Sequence, residues 1–334
     1  MQETIVLVTD KPSAARAILP LAQSFWPDAR LLAVSTLYIG LYEFRYPRGL
    51  KISDYPYIGA PRWKPREHVR HQVLTVTDGN CENSNISPEQ ALKQTSRIVF
   101  ASDPCSSGAV TYHVLLSEVF GEDVAREPRM ALNLPSLAEA DITTQLKHPT
   151  TTDSPEFQRW LNAGIARRYF DFNYNVNAFA ILGATLKKCG VTTSQAFGVS
   201  KYSLQLLYWL RDQDAMGYPA IIQAMARWGG TGRYKGMAEL GSPASRWQII
   251  ENMRNLQLLE ALGDQPRGMK LRLSAKGEAF LAALHPDCKD ADLPFRLEEW
   301  ERDWPQSQKR IDRYIKTFFG KQAKRQFARP AVLR

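Results

Sequence analysis

The sequence predicts an α/β domain with a parallel-rich sheet and flanking helices, followed by mostly α domains. Three observations predict it. Apolar runs alternate with helical segments through residues 1–150. Two of these runs, Ile5–Thr9 and Ile98–Ser102, each end on an Asp at a turn that leads into a helix. Residues 155–212 read as helical, and Ile249–Leu259 keeps a helical period. Alternating strands and helices imply mostly parallel pairing, with ligand chemistry at the strand C-terminal ends. Asp10 and Asp103 fall at two such ends.

In chain order, residues 4–9 read as a buried strand, and Ser13 is suited to cap the helix that follows. Leu32–Val34, residues 72–76 and residues 98–102 are further strands. Ser87-Pro88-Glu89-Gln90 opens a helix by an N-cap and an N1 proline. Residues 155–212 read as helical, with Arg167 and Arg168 on one turn near Asp171. Ile249, Ile250, Met253, Leu256 and Leu259 keep a helical period, and Gly263–Gly268 has turn chemistry. Lys270-Leu271-Arg272-Leu273 alternates, so Lys270 and Arg272 share an exposed face, and Ser274 can cap a last helix, Ala275–Leu284. Residues 243–284 together read as a winged helix.

Length and composition set limits. A chain of 334 residues suits two or three domains of about 100–150 residues each. The expected division is 1–150, 151–237, 238–305 and 306–334, the last a basic helix or tail. No apolar run approaches the roughly 20 residues of a membrane span. No signal peptide and no membrane association are expected, and a bacterial cytoplasmic location, with nucleoid or plasmid, is. Cys81, Cys105, Cys189 and Cys288 are scattered without a C-x-x-C pair, so no zinc ribbon is expected. Net charge is +9. Lys309, Arg310, Arg313, Lys316, Lys321, Lys324, Arg325, Arg329 and Arg334 face only Asp312 in the last segment, which leaves the rest of the chain near neutral. Tyr314, Phe318, Phe319 and Phe327 interleave with them. Cations with aromatics between them suit a polyanion whose bases can stack; a solvated basic tail is the plain alternative.

Several motifs together resemble the type IA DNA topoisomerases, close to the topoisomerase III branch. Asp10-Lys11-Pro12-Ser13 resembles the family's Glu-Lys-Pro-Ser, and Asp103-Pro104-Cys105-Ser106-Ser107-Gly108 resembles Asp-Pro-Asp-x-Glu-Gly. Both belong to the family's Toprim domain. Thr36–Glu43 is similar to Thr-x-x-x-Gly-His-Leu-x-Glu without its His, and Tyr55–Lys64 to Leu-Pro-Ile-x-Pro-x-x-Trp-Lys. Ala166–Asp171 resembles the Ala-Arg-Arg-x-x-Asp helix that lines a single-strand groove. A salt bridge from the arginines to Asp171 is the alternative for that helix. Gln195–Ser200 stands in the place of Ser-Ala-Gly-Arg-Val-Gln, with Gly198 and Ser200 replacing Arg and Gln. Leu240–Ile250 resembles Leu-Gly-Thr-Pro-Ala-Thr-Arg-x-x-Ile-Ile, and Leu297–Glu301 resembles Thr-x-x-Trp-Glu.

The departures matter as much as the matches. The family's arch, with its nucleophilic tyrosine, would fall between these flanks and is missing. Tyr46-Pro47-Arg48 is a chance likeness to Tyr-x-Arg-Thr-Asp, because it lies in the wrong region and lacks the Thr-Asp. Trp228–Arg233 reads as the rejoined deletion site. Of the Toprim acids only Asp10 and Asp103 remain, with Cys105 and Ser107 in place of two others; His113 falls one residue early. Cleavage in this family needs a tyrosine, an adjacent Arg and a carboxylate-held Mg²⁺. The resemblance therefore implies vestigial positions at Asp10, Lys11, Asp103, Cys105 and Ser107, and no cofactor. Asp10 and Asp103 alone would hold Mg²⁺ weakly.

The implied function is a DNA-binding accessory factor in DNA processing, with single strands preferred, in a setting such as plasmid conjugation or mobile-element transfer. The expected DNA contacts are Lys11, Arg167, Arg168, Lys201, Ser245, Arg246, Lys270, Arg272, Lys309, Arg310, Arg313, Lys321, Lys324 and Arg325. Two alternatives stay open: a Mg²⁺-dependent Toprim nuclease, and a module that docks on a relaxase, a transfer protein or a topoisomerase.

Overall fold

The structure is a computed structural model, and it describes residues 2–37, 41–67, 73–77, 79–191, 199–231, 234, 236–263 and 268–327. Contacts divide the chain into two compact units, one of residues 1–45 and 62–167, the other of residues 46–61 and 168–334.

The first unit follows the alternating pattern. Its elements are β1 (Thr4–Thr9), α1 (Pro12–Phe25), β2 (Arg30–Ser35), β3 (Tyr42–Phe44), β4 (Trp63–Pro65), β5 (Val73–Thr77), β6 (Asn80–Asn83), α2 (Pro88–Lys93), β7 (Arg97–Ser102), α3 (Ser106–Phe120), α4 (Glu122–Ala125), β8 (Met130–Asn133), α5 (Glu139–Lys147) and β9 (Thr150–Thr151), followed by the start of α6 (Pro155–Lys188). Among the described residues the main sheet runs β6-β5-β2-β1-β7-β8-β9. Its centre, β2-β1-β7-β8, is parallel. The flanking strands β5, β6 and β9 are antiparallel, so the sheet is mixed. The parallel strands are apolar on both faces and buried: β1 and β7 lie in the middle with helices on either side, as such strands require. One face packs Ile5, Leu7, Val99 and Leu132 with α1 and α5; the other packs Val6, Val8 and Phe100 with α3 and Phe157.

Two local expectations change. Ser13 does not cap α1; Lys11 is the N-cap in extended backbone, and Pro12 opens the helix, which puts Ser13 inside it. Proline's fixed φ at N1 sets the helix start two residues earlier than a Ser13 cap would. Ser87 does cap α2, and its box with Gln90 is closed in both directions. Gly164 on α6 is a contact point, because a Cβ there would come within 2.5 Å of the Ser106 carbonyl and 2.6 Å of Val110.

The second unit is mostly helical. It contains the rest of α6, α7 (Lys201–Arg211), β10 (Met216–Gly217), α8 (Tyr218–Ala226), β11 (Trp228–Gly229), β12 (Met237–Ala238), α9 (Pro243–Asn255), β13 (Leu259–Leu262), β14 (Lys270–Leu273), α10 (Ala275–Ala283), α11 (Leu293–Arg302) and α12 (Gln308–Phe327). A small antiparallel sheet has the order β10-β14-β13. Leu259 does not continue α9: the helix ends at Asn255, Gln257 takes a positive φ of 56°, and Leu259 begins a strand. Ser274 caps α10 through the Gly277 N–H. Within this unit Asn173 and Asn177, one helical turn apart and fully buried, each bond both backbone groups of one residue in the segment 46–61, Gly59 and Tyr57 respectively. Gly263–Gly268, Gln195–Ser200, Thr36–Glu43 and Trp228–Arg233 extend outside the described residues at 264–267, 195–198, 38–40 and 232–233. No helix among the described residues is long and apolar enough to cross a membrane.

Candidate nucleic-acid interface

In the first unit, β1 and β7 are neighbours in parallel register, so the residues just past their ends meet. Asp10 is 1% exposed, and among the described residues no hydrogen bond reaches either of its carboxylate oxygens. The Lys11 ammonium lies 3.1 Å from Asp10 and 3.8 Å from Asp103, which is partly exposed. The Asp103 carboxyl is pushed above its ordinary value, first by burial and then by the Asp10 charge, with Lys11 opposing. Cys105 serves as a helix cap, its Sγ accepting the Gly108 N–H at 3.4 Å. Ser107 lies exposed in the first turn of α3. His113 is buried on α3 and meets Glu122 at 3.2 Å; burial holds its imidazole below the ordinary value, with Glu122 opposing.

Mg²⁺ asks for near-octahedral oxygen ligands at about 2.0–2.1 Å. This locus offers two carboxylates, a thiol already used as a cap, and an ammonium set against both acids. Among the described residues no group of three or more His, Cys, Asp or Glu side chains could hold a metal ion. Asp10 and Asp103 are the two carboxylates that could hold Mg²⁺ here, weakly, with waters or a phosphate completing the shell.

The expected DNA contacts on α6, α7, α9 and β14 divide by their partners. Arg168 meets Asp171 at 3.4 Å, and Lys201 pairs with the same carboxylate, so the salt-bridge alternative describes Arg168. Lys201 is 8% exposed and covers the Tyr202 ring at 4.6 Å. Arg167, in the first unit on α6, is half-buried and has interactions of its own. Arg246 is 5% exposed and paired with Glu239 at 2.9 Å. Ser245 bonds Ser242 at the start of α9. Lys270 and Arg272 do share the exposed face of β14, and Arg272 pairs across the strand with Glu260.

The basic segment forms helix α12 as far as Phe327, and its two sides differ. Ile311, Ile315, Phe318, Phe319 and Gln322 are buried. Tyr314 stacks among Phe170, Trp300 and Phe318. The expectation that these aromatics stack on bases is thus corrected: they are core residues, because the apolar side of an amphipathic helix is what attaches it. Phe327's side chain, Arg329 and Arg334 lie outside the described residues. Of the cations, Arg310 is held by Glu299 and Asp303, Lys321 by Asp287, and Arg325 bonds the Ala282 carbonyl. Lys309, Arg313, Lys316 and Lys324 are exposed and have no ion-pair partner among the described residues. Their spacing puts them on one stripe of the helix.

Sequence reasoning missed an aromatic pair in this unit. Trp247 on α9 is 53% exposed and stacks on Tyr218, with ring centroids 4.5 Å apart. A Trp among polar neighbours at the outer positions of α9 was the available signal.

No protein-family model matches the chain, and no curated protein matches it.

Proposed function

We propose that this chain is a type IA topoisomerase-like DNA-binding protein without strand-cleavage activity. It binds single-stranded DNA in preference to duplex and serves DNA processing as an accessory factor, as in plasmid conjugation or mobile-element transfer. The observation that carries this reading is the stripe of Lys309, Arg313, Lys316 and Lys324. Four cations without ion-pair partners among the described residues, along about 22 Å of helix, form an electrostatic footprint for a phosphate backbone. The buried side of α12 anchors them, so they are not a loose tail.

Two arrangements support it. The order β10, α8, β11, β12, α9, β13, β14, with β14 central in the sheet β10-β14-β13, suits a winged-helix reading. The neighbouring strand ends bearing Asp10-Lys11 and Asp103 suit a Toprim-type domain. Cleavage is left out because the tyrosine motif is missing from the sequence and the acid pair is already answered by Lys11.

The test is a titration of labelled single-stranded and duplex DNA across salt, with and without Mg²⁺, scored also for cleavage. Single strands should bind without Mg²⁺ and without cleavage. Four phosphate contacts give a log–log salt slope of about −3. Mg²⁺-dependent cutting abolished by Asp103→Ala would make the chain a nuclease. No DNA binding at low salt would direct attention to protein partners such as a relaxase, a transfer protein or a topoisomerase.

A further inference from the structure

Helix α9 turns an aromatic side outward. It buries Arg246, Ile249, Ile250 and Met253, and leaves Trp247 more than half exposed. The indole lies on the Tyr218 ring with planes 27° apart. Tyr218 is itself held in place: its hydroxyl donates to Glu251 and accepts from Arg254 Nη1 at 2.8 Å. The inner ring is fixed, and the outer ring offers a flat, desolvatable face.

The same helix has little free positive charge. Arg246 is buried against Glu239, and Arg254 is shared between Glu251 and Tyr218. A helix seated in a duplex groove meets phosphates on both flanks and answers them with cations. An exposed cation stands on β14 instead. Lys270 is opposite Gly217 in the β10–β14 pairing, and Gly217 directly precedes Tyr218. Lys270 has no ion-pair partner among the described residues. An aromatic platform beside a cation is the composition of a single-strand site, where bases stack and the backbone is tracked by charge.

We propose that Trp247, supported by Tyr218, is the stacking platform for an unpaired nucleobase, and that Lys270 takes the neighbouring phosphate. The proposal rests on the single-strand reading above. It adds where a base is held, and why a duplex, whose bases are already stacked, is the poorer ligand.

The experiment is fluorescence anisotropy with labelled oligothymidylate, an abasic strand of equal length and a hairpin duplex. The proteins are the full chain and its Trp247→Ala, Trp247→Phe and Lys270→Gln variants. Trp247→Ala should weaken oligothymidylate binding about ten- to a hundredfold and leave the abasic strand unaffected. Trp247→Phe should lose less. Neither Trp variant should change the salt slope, since no charge is removed, whereas Lys270→Gln should make it shallower by about 0.7. If the full chain binds oligothymidylate and Trp247→Ala binds it equally well, the platform is overturned while the single-strand reading stands, and the exposed aromatic face belongs to a protein contact. If the full chain binds none of the three DNAs at low salt, both fall together.

Discussion

The Lys11 ammonium lies 3.1 Å from the carboxylate of Asp10, whose side chain is 2% exposed. A buried carboxylate that no described residue hydrogen-bonds depends on such a counter-charge, since an unpaired buried ion is costly. Lys11→Met is expected to destabilise the protein by about 1–3 kcal/mol, discounted because the lysine is partly exposed. Adding Asp10→Asn to the same chain should recover part of that loss. Urea unfolding of the single and double variants checks it; equal stability of Lys11→Met and the native chain would contradict it.

Asn177 is fully buried and bonds both the N–H and the carbonyl of Tyr57, at 2.7 and 2.8 Å. Truncation leaves two backbone groups without their partners. Asn177→Ala should cost about 2–4 kcal/mol, since each buried unsatisfied group costs about 1–3 kcal/mol. Asn177→Leu should not restore it, because volume is not what is lost. Thermal melts of the two variants decide the point.

The stripe on α12 can be discharged without disturbing the buried side. Replacing Lys309, Arg313, Lys316 and Lys324 by Gln should leave the melting temperature nearly unchanged, as surface substitutions usually shift stability by less than about 0.5 kcal/mol. The single-strand salt slope should become shallower by about 3. An unchanged slope in a folded variant would show that these cations do not meet phosphate.

Burial holds His113 below its ordinary value, with Glu122 opposing. The folded imidazole therefore stays neutral at a pH where the unfolded one has taken up a proton. Stability should be lost as pH falls from about 6.5 towards the lower folded-state value. His113→Gln should flatten that part of the profile. Urea midpoints at about pH 7.5 and pH 5.5, either side of the unfolded imidazole's titration, compared between the two proteins, measure it.

Much of the first unit was legible because its signals are local. The buried strands at residues 4–9 and 98–102, and the acids at their ends, follow from apolar runs closed by turn residues. The mixed character of the sheet was not legible, because the direction of β5, β6 and β9 depends on which strand each one pairs with. In the second unit the alternation at Lys270–Leu273 and the Ser274 cap were readable. The end of α9 was not, because Leu256 and Leu259 remain buried after the helix has stopped.

By itself the sequence determined which residue types stand at strand ends, helix starts and the basic segment, since these depend on neighbours a few positions apart. Only the tertiary structure decided which charges are still free. Lys201 is taken by Asp171, Arg246 by Glu239 and Lys321 by Asp287, while Lys309, Arg313, Lys316 and Lys324 remain exposed along one side of α12. The physical reason is that an ion pair is set by distance and burial in space, and these partners are brought together by the packing of elements that local sequence does not specify.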